Sequence, residues 1–171
     1  IIGSFFLWNC ATTESSSKLS DNSKESKKVS NLSEEDIEEC RLYQSYQHDY
    51  WKNRNYRRVI YCNMYMMEMD CDESIDYPVN YYNLSRSFLD IEESKIDSAF
   101  WALQQGLREN ANNETLLELG AYLSKKSNNI NQQIYYLDKV ISINEKNPRA
   151  LEQLCDIYGE TARFEDQILI I

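Results

Sequence analysis

Five cysteines, one histidine and a short acidic run are the residues of this sequence whose types could do chemistry. Cys62 and Cys71 flank the end of one predicted helix, close enough in sequence to approach across the Asp70–Pro78 loop. Disulfide bonding and buried free thiols both fit Cys40, Cys62, Cys71 and Cys155, and connectivity is not readable from spacing. There is no Cys-x-x-Cys, and His48 alone makes a poor zinc set. A Cys/His nucleophilic pair would have to recruit His48, and no pattern around it supplies an orienting partner. Asp70, Asp72, Glu73 and Asp76 place oxygens at alternate positions but lack the central Gly and closing Glu of a calcium hand. A Gly-rich phosphate loop, a nucleophile elbow and an HExxH motif are absent from the sequence. The residues therefore point to no enzyme, no cofactor and no metal, and the sequence reads as that of a binding protein.

The composition fits this reading. The chain has 171 residues, with 18 Lys+Arg against 28 Asp+Glu, for a formal net charge of −10. An acidic chain without a basic block is poorly suited to coating phosphates, which argues against nucleic acid as a partner. Only 4 Gly and 2 Pro occur, which disfavours a turn-rich sandwich or barrel and leaves an all-α architecture.

The chain opens Ile1-Ile2-Gly3-Ser4-Phe5-Phe6-Leu7-Trp8-Asn9-Cys10, apolar and uncharged. This run is too short to cross a bilayer of about 30 Å but fits the hydrophobic part of a secretory signal. Residues 11–33 then carry eight Ser and no aromatic, so residues 11–34 are expected to form a disordered tether. An apolar run, a Cys and a Ser-rich spacer resemble the start of a bacterial lipoprotein, with Leu7 three residues before Cys10. Asn9 and Trp8 depart from the small residues that family prefers. The resemblance implies a signal over residues 1–10 and lipidation at Cys10. It also implies attachment to the cell envelope, with the membrane met only through the lipid. Four cysteines then remain, an even number that suits an oxidising periplasm. At the other end, Ile168-Leu169-Ile170-Ile171 stops on an apolar run, so the sequence is expected to be a fragment that ends inside a helix.

Self-comparison exposes what must position any binding residues. Tyr43, Tyr46 and Tyr50 are spaced three and four apart, and so are Tyr81/Leu84/Phe88, Leu116/Leu119/Leu123 and Leu151/Leu154/Tyr158. Positions i, i+3 and i+7 share one helix face, so each set predicts an apolar stripe. A second stripe follows at Val59, Ala99, Gln133 and Gln167, with Asn63, Leu103, Leu137 and Ile171 four residues later. Polar stretches separate the stripes at residues 52–55, 92–94, 127–129 and 160–163.

A helix pair recurring every 34 or so residues resembles the tetratricopeptide repeat family. The last unit carries the resemblance best, with Asn147-Pro148 introducing Leu151, Leu154, Tyr158, Ala162, Phe164 and Ile168. Gln133 and Gln167 stand where that family has a small Ala, and Gly106 replaces another Ala. The resemblance covers residues 36–171, about four units with the last cut short. It implies an α-solenoid of antiparallel helix pairs whose concave groove takes a protein or peptide partner. The groove positions of each first helix are then Gln44 and His48, Tyr82 and Arg86, Leu117 and Ala121, and Glu152 and Asp156. Arg86 and Asn83 alone do not make the carboxylate clamp found in some members. The alternative is a lipoprotein that binds a glycan or nutrient and feeds an outer-membrane transporter. The partner's identity and the oligomeric state are not legible.

Tyr is used 13 times, nine of them between Tyr43 and Tyr82, and Met64, Met66, Met67 and Met69 cluster in one predicted helix. Packing is the favoured reading, with the tips of Tyr61, Tyr65 and Tyr82 available to a partner.

Overall fold

Helix formation starts from caps written locally in the chain. The computed structural model describes residues 32–71, 79–91 and 95–160. Among these the protein is all-helical, with seven helices and no strand. They are α1 (Glu34–Lys52), α2 (Tyr56–Glu68), α3 (Tyr81–Ile91), α4 (Ile96–Glu109), α5 (Glu114–Lys126), α6 (Ile130–Ile143) and α7 (Pro148–Glu160). Ser33 caps α1: its Oγ accepts from the Asp36 N–H at 3.2 Å, and Asp36 Oδ2 accepts from the Ser33 N–H at 3.1 Å. This reciprocal box satisfies two donors the helix leaves free. The Ser33 contacts hold the Asp36 carboxyl below its ordinary value of 3.8. An Asn does the same work before α3, α5 and α7. The Oδ1 atoms of Asn80, Asn113 and Asn147 accept from the N–H groups of Asn83, Leu116 and Ala150 at 3.0, 3.0 and 2.9 Å.

The helices also stop in recurring ways. Arg54, Asp70 and Asn128 have φ of 53°, 58° and 55°. Each closes its helix with the same pair of backbone bonds. Asn55 N–H donates to Tyr50 O and Arg54 N–H to Trp51 O. Asn129 N–H and Asn128 N–H donate to Ser124 O and Lys125 O, and Cys71 N–H and Asp70 N–H donate to Met66 O and Met67 O. This is the left-handed cap that reverses a chain after a helix. The α4 and α6 ends match each other instead: Asn110 and Asn144 are extended (φ −141° and −135°) and accept from the N–H of Asn113 and Asn147. The polar stretches at 53–55 and 127–129 are thus the expected turns, while 92–94 and 161–163 lie outside the described residues, as do Cys10 and most of the expected tether.

Packing runs mainly between consecutive helices, with α5 also touching α3. One group of buried residues runs from Leu89 to Tyr158 and a second joins Cys40, Met66, Cys71, Val79, Leu84 and Ala102. Tyr81 and Phe88 pack against both. The stripe Leu116/Leu119/Leu123 is buried as expected, as are Val59 and Asn63, Ala99 and Leu103, and Gln133 and Leu137. In α1 the register differs: Cys40 and Gln47 are buried, whereas Tyr46 is 43% exposed. Gly106 and Gly120 permit two close approaches. A Cβ on Gly106 would lie 2.7 Å from Leu116 Cδ1 and Tyr81 Cβ, and one on Gly120 would lie 2.7 Å from Tyr136 ring carbons.

The structure decides the cysteine alternatives that the sequence leaves open. Cys71 pairs with Cys40, not Cys62, in a disulfide with Cα atoms 5.9 Å apart. The turn after α2 carries Cys71 back against α1, while Cys62 stays inside α2 as a buried free thiol. Met66 is fully buried and Met67 and Met69 pack against the same core group, so the methionines serve packing.

Candidate functional site

Three chain segments meet at one cleft of about 350 Å³. Helix α1 supplies Gln44 and Gln47. The start of α3 supplies Val79, Asn80, Tyr81 and Tyr82. The α4–α5 junction supplies Gly106, Glu109, Asn110, Asn113, Thr115 and Leu116. The caps described above place these groups. Asn80 and Asn113 stand in the cleft because each must sit one residue before a helix, and Asn110 because it ends α4. The missing side chain at Gly106 brings α3, α4 and α5 close behind the cleft.

Among the described residues the lining is largely polar and holds no Lys, Arg or His. Asn80 Oδ1 and Asn113 Oδ1 are spent on helix caps, and Asn110 Oδ1 accepts from the Asn112 N–H at 3.1 Å. Their NH2 groups remain as donors. Gln47 is the sharpest feature. It is 2% exposed, yet its Nε2 has no hydrogen-bond partner among the described residues. An unmade buried donor costs about 1–3 kcal/mol and is rare in a native fold.

The expected groove residues divide into four groups. Gln44 and Tyr82 share the cleft just described, and His48 is exposed one turn further along α1. Arg86 is half-buried, pairs with Asp90 at 3.3 Å and lies 5.0 Å from the ring centroid of Tyr122. Glu152 and Asp156 are exposed on α7, and Asp156 lines a second cleft of about 260 Å³ with Lys125, Gln133 and Gln153. Leu117 and Ala121 are corrected from groove to core: they are 3% and 1% exposed. The physical reason is that α5 packs against α3, α4 and α6, so more than one face of it is covered.

The tyrosines form a separate cluster on α1 and α2. Tyr43 and Tyr65 stack with centroids 4.0 Å apart, and the Tyr65 hydroxyl donates to Glu39 Oε1 at 2.8 Å. The bond with Tyr61, then burial, then the neighbouring Tyr61, Tyr65 and Glu39 charges push the Tyr43 hydroxyl up to about 12. Tyr61 is 57% exposed and Tyr82 36%, while Tyr65 is half-buried with its hydroxyl engaged. Among the described residues no group of three or more His, Cys, Asp or Glu is placed to hold a metal ion, and no helix is long and apolar enough to cross a membrane.

Sequence reasoning missed Gln47, Asn80, Glu109, Asn110, Asn113 and Thr115. One signal was present: Asn110-x-x-Asn113 and Asn144-x-x-Asn147 repeat 34 residues apart at the ends of polar turns. The chain matches no protein-family model and no curated protein.

Proposed function

We propose that this chain is a protein–protein interaction module: a tetratricopeptide-like α-solenoid of antiparallel helix pairs, held at the bacterial cell envelope by a lipidated Cys10. The observation that carries the reading is the recurrence of turn geometry. The Asn110/Asn113 turn is repeated at Asn144/Asn147, 34 residues on, and consecutive helices pack on one another. A helix pair repeated at that interval stacks on its neighbours and leaves extended surface for a partner. The partner is a protein or peptide. The surface offered to it is Gln44, His48, Tyr82, Arg86, Glu152 and Asp156.

The test uses the full-length chain in envelope fractions. A photocrosslinker replacing His48 or Glu152 should capture one and the same protein, and Cys10→Ala should release the chain from the membrane. A Cys10→Ala chain that still sediments with membrane overturns the lipid anchor, and no shared adduct from the two positions overturns the interaction module.

A second reading, capture of a glycan or nutrient for a transporter, is favoured by the cleft between α1, α3 and α5 with its unpartnered Gln47 donor.

A further inference from the structure

The cleft beside Gln47 has a chemistry that narrows its ligand. Among the described residues its walls hold no cation, and their one charged group, the exposed Glu109 carboxylate, has no hydrogen-bond or ionic partner there. Phosphates and carboxylates would meet repulsion there without a counter-charge. An anionic ligand is disfavoured, and the donors and acceptors on the walls suit one that both accepts and donates hydrogen bonds.

The buried donor asks for the strongest neutral acceptor. Gln47 Nε2 is without a partner, and the terminal torsion of its amide is soft, so the NH2 can turn to meet a carbonyl oxygen in the cleft. Beside it, Val79 and Leu116 are 7% and 6% exposed, and Gly106 adds no side chain. That floor is apolar and suits a methyl group lying on it. Glu109 asks for hydroxyl donors, and the NH2 groups of Asn110 and Asn113 offer bonds to hydroxyl oxygens. The Tyr82 ring, 36% exposed and held edge-on to Trp51 at 6.5 Å, can flank an aliphatic ring face. A carbonyl with a methyl attached, on a ring bearing hydroxyls, is an acetamido sugar. The volume of about 350 Å³ lies in the range of small-molecule sites.

We propose that this cleft binds the N-acetylated hexosamine end of a neutral glycan. Gln47 Nε2 donates to the acetamido carbonyl, the methyl lies over Val79 and Leu116, and ring hydroxyls donate to Glu109. This deepens the ligand-binding reading of the cleft and rests on it. A peptide bond offers the same carbonyl but not the hydroxyls that Glu109 selects.

The experiment is a titration of the full chain followed by amide resonances in NMR, with N,N′-diacetylchitobiose, cellobiose and N-acetyl-alanyl-alanine amide as the three probes. The diacetylated sugar should shift the Gln47 side-chain amide and the backbone amides of residues 109–116. Cellobiose, which lacks the acetamido groups, should bind at least about tenfold more weakly because it leaves the buried donor unmet. Gln47→Met fills the same space without the donor. It should lose about tenfold in affinity for the diacetylated sugar while its melting temperature holds or rises, because the unmet donor is gone. Glu109→Gln, at an exposed site, should keep the fold and weaken both sugars. No shift with either sugar overturns this proposal and the ligand-binding reading together. Equal shifts with cellobiose, or equal or larger ones with the dipeptide, overturn the N-acetyl assignment alone. Undiminished binding by Gln47→Met overturns the role of Gln47.

Discussion

Asn147 donates a 2.7 Å hydrogen bond from its Nδ2 to Oε1 of Glu114, 33 residues upstream. The same Nδ2 lies 2.8 Å from Glu118 Oε1, and its Oδ1 caps α7 at the Ala150 N–H. Asn147 is 5% exposed, so one small side chain ends a turn, starts a helix and ties α7 to α5. Asn147→Ala should destabilise the protein by about 2 kcal/mol, the sum of a lost cap and of contacts left unmade. Asn147→Asp keeps the cap but sets a third carboxylate against Glu114 and Glu118, and it should also destabilise. Urea unfolding reads both variants. If Asn147→Asp matches the wild type, the tie to Glu114 contributes nothing and the cap alone matters.

The same contacts set a pH dependence. Hydrogen bonds from Asn147 first, then Asn144, hold the Glu114 carboxyl below its ordinary 4.5. A carboxyl depressed in the fold contributes stability that is complete above its unfolded value and is lost as pH falls through its folded value. Melting temperatures at pH 6, 5, 4 and 3 should therefore fall more steeply below about pH 4.5 in the wild type than in an Asn144→Ala/Asn147→Ala variant. Parallel curves would show that Glu114 is not held by these amides.

The long-range ties were the part least legible beforehand. Leu116, Leu119 and Leu123 announced themselves because three aliphatic residues on one face have no other place to go. The α1 register misled because Tyr tolerates both core and surface: Tyr43, Tyr46 and Tyr50 look like a stripe, yet Cys40 and Gln47 are the buried residues. Nothing local marks a buried Gln. Leu117 and Ala121 fall beside the leucine stripe, where a helix covered on one face would be open, but α5 has neighbours on more than one side. The capping role of Asn113 was readable from its place before an apolar run. Its place in a cleft was not, because that depends on how α1 and α3 meet the α4–α5 turn.

Gly120 tests how tightly α5 and α6 approach. In an unobstructed helix Ala is favoured over Gly by about 1 kcal/mol. Here the added methyl would stand 2.7 Å from the ring of Tyr136, itself 5% exposed and surrounded by core. Overpacking of this kind costs about 1–3 kcal/mol, so Gly120→Ala should be net destabilising. Adding Tyr136→Leu removes the ring, and the helix preference should then return. The pair should accordingly show a favourable coupling in a double-mutant cycle. Additive effects would mean that the ring moves aside freely.

The Cys40–Cys71 bond closes a stretch of 31 residues around α1 and α2. Loop-closure entropy assigns such a bond about 3–4 kcal/mol. Treatment with dithiothreitol should lower the urea midpoint to that of a Cys40→Ser/Cys71→Ser variant and leave that variant itself unchanged. Cys62 supplies the internal control. It is 1% exposed, and burial pushes its thiol up from the ordinary value, so it should resist iodoacetamide in the native protein. Cys155, half-buried on α7, should react before Cys62. A non-reducing peptide map decides the pairing. A Cys62–Cys71 peptide would mean that α2 ends in a different turn, and the contact of residue 71 with α1 would be lost with it.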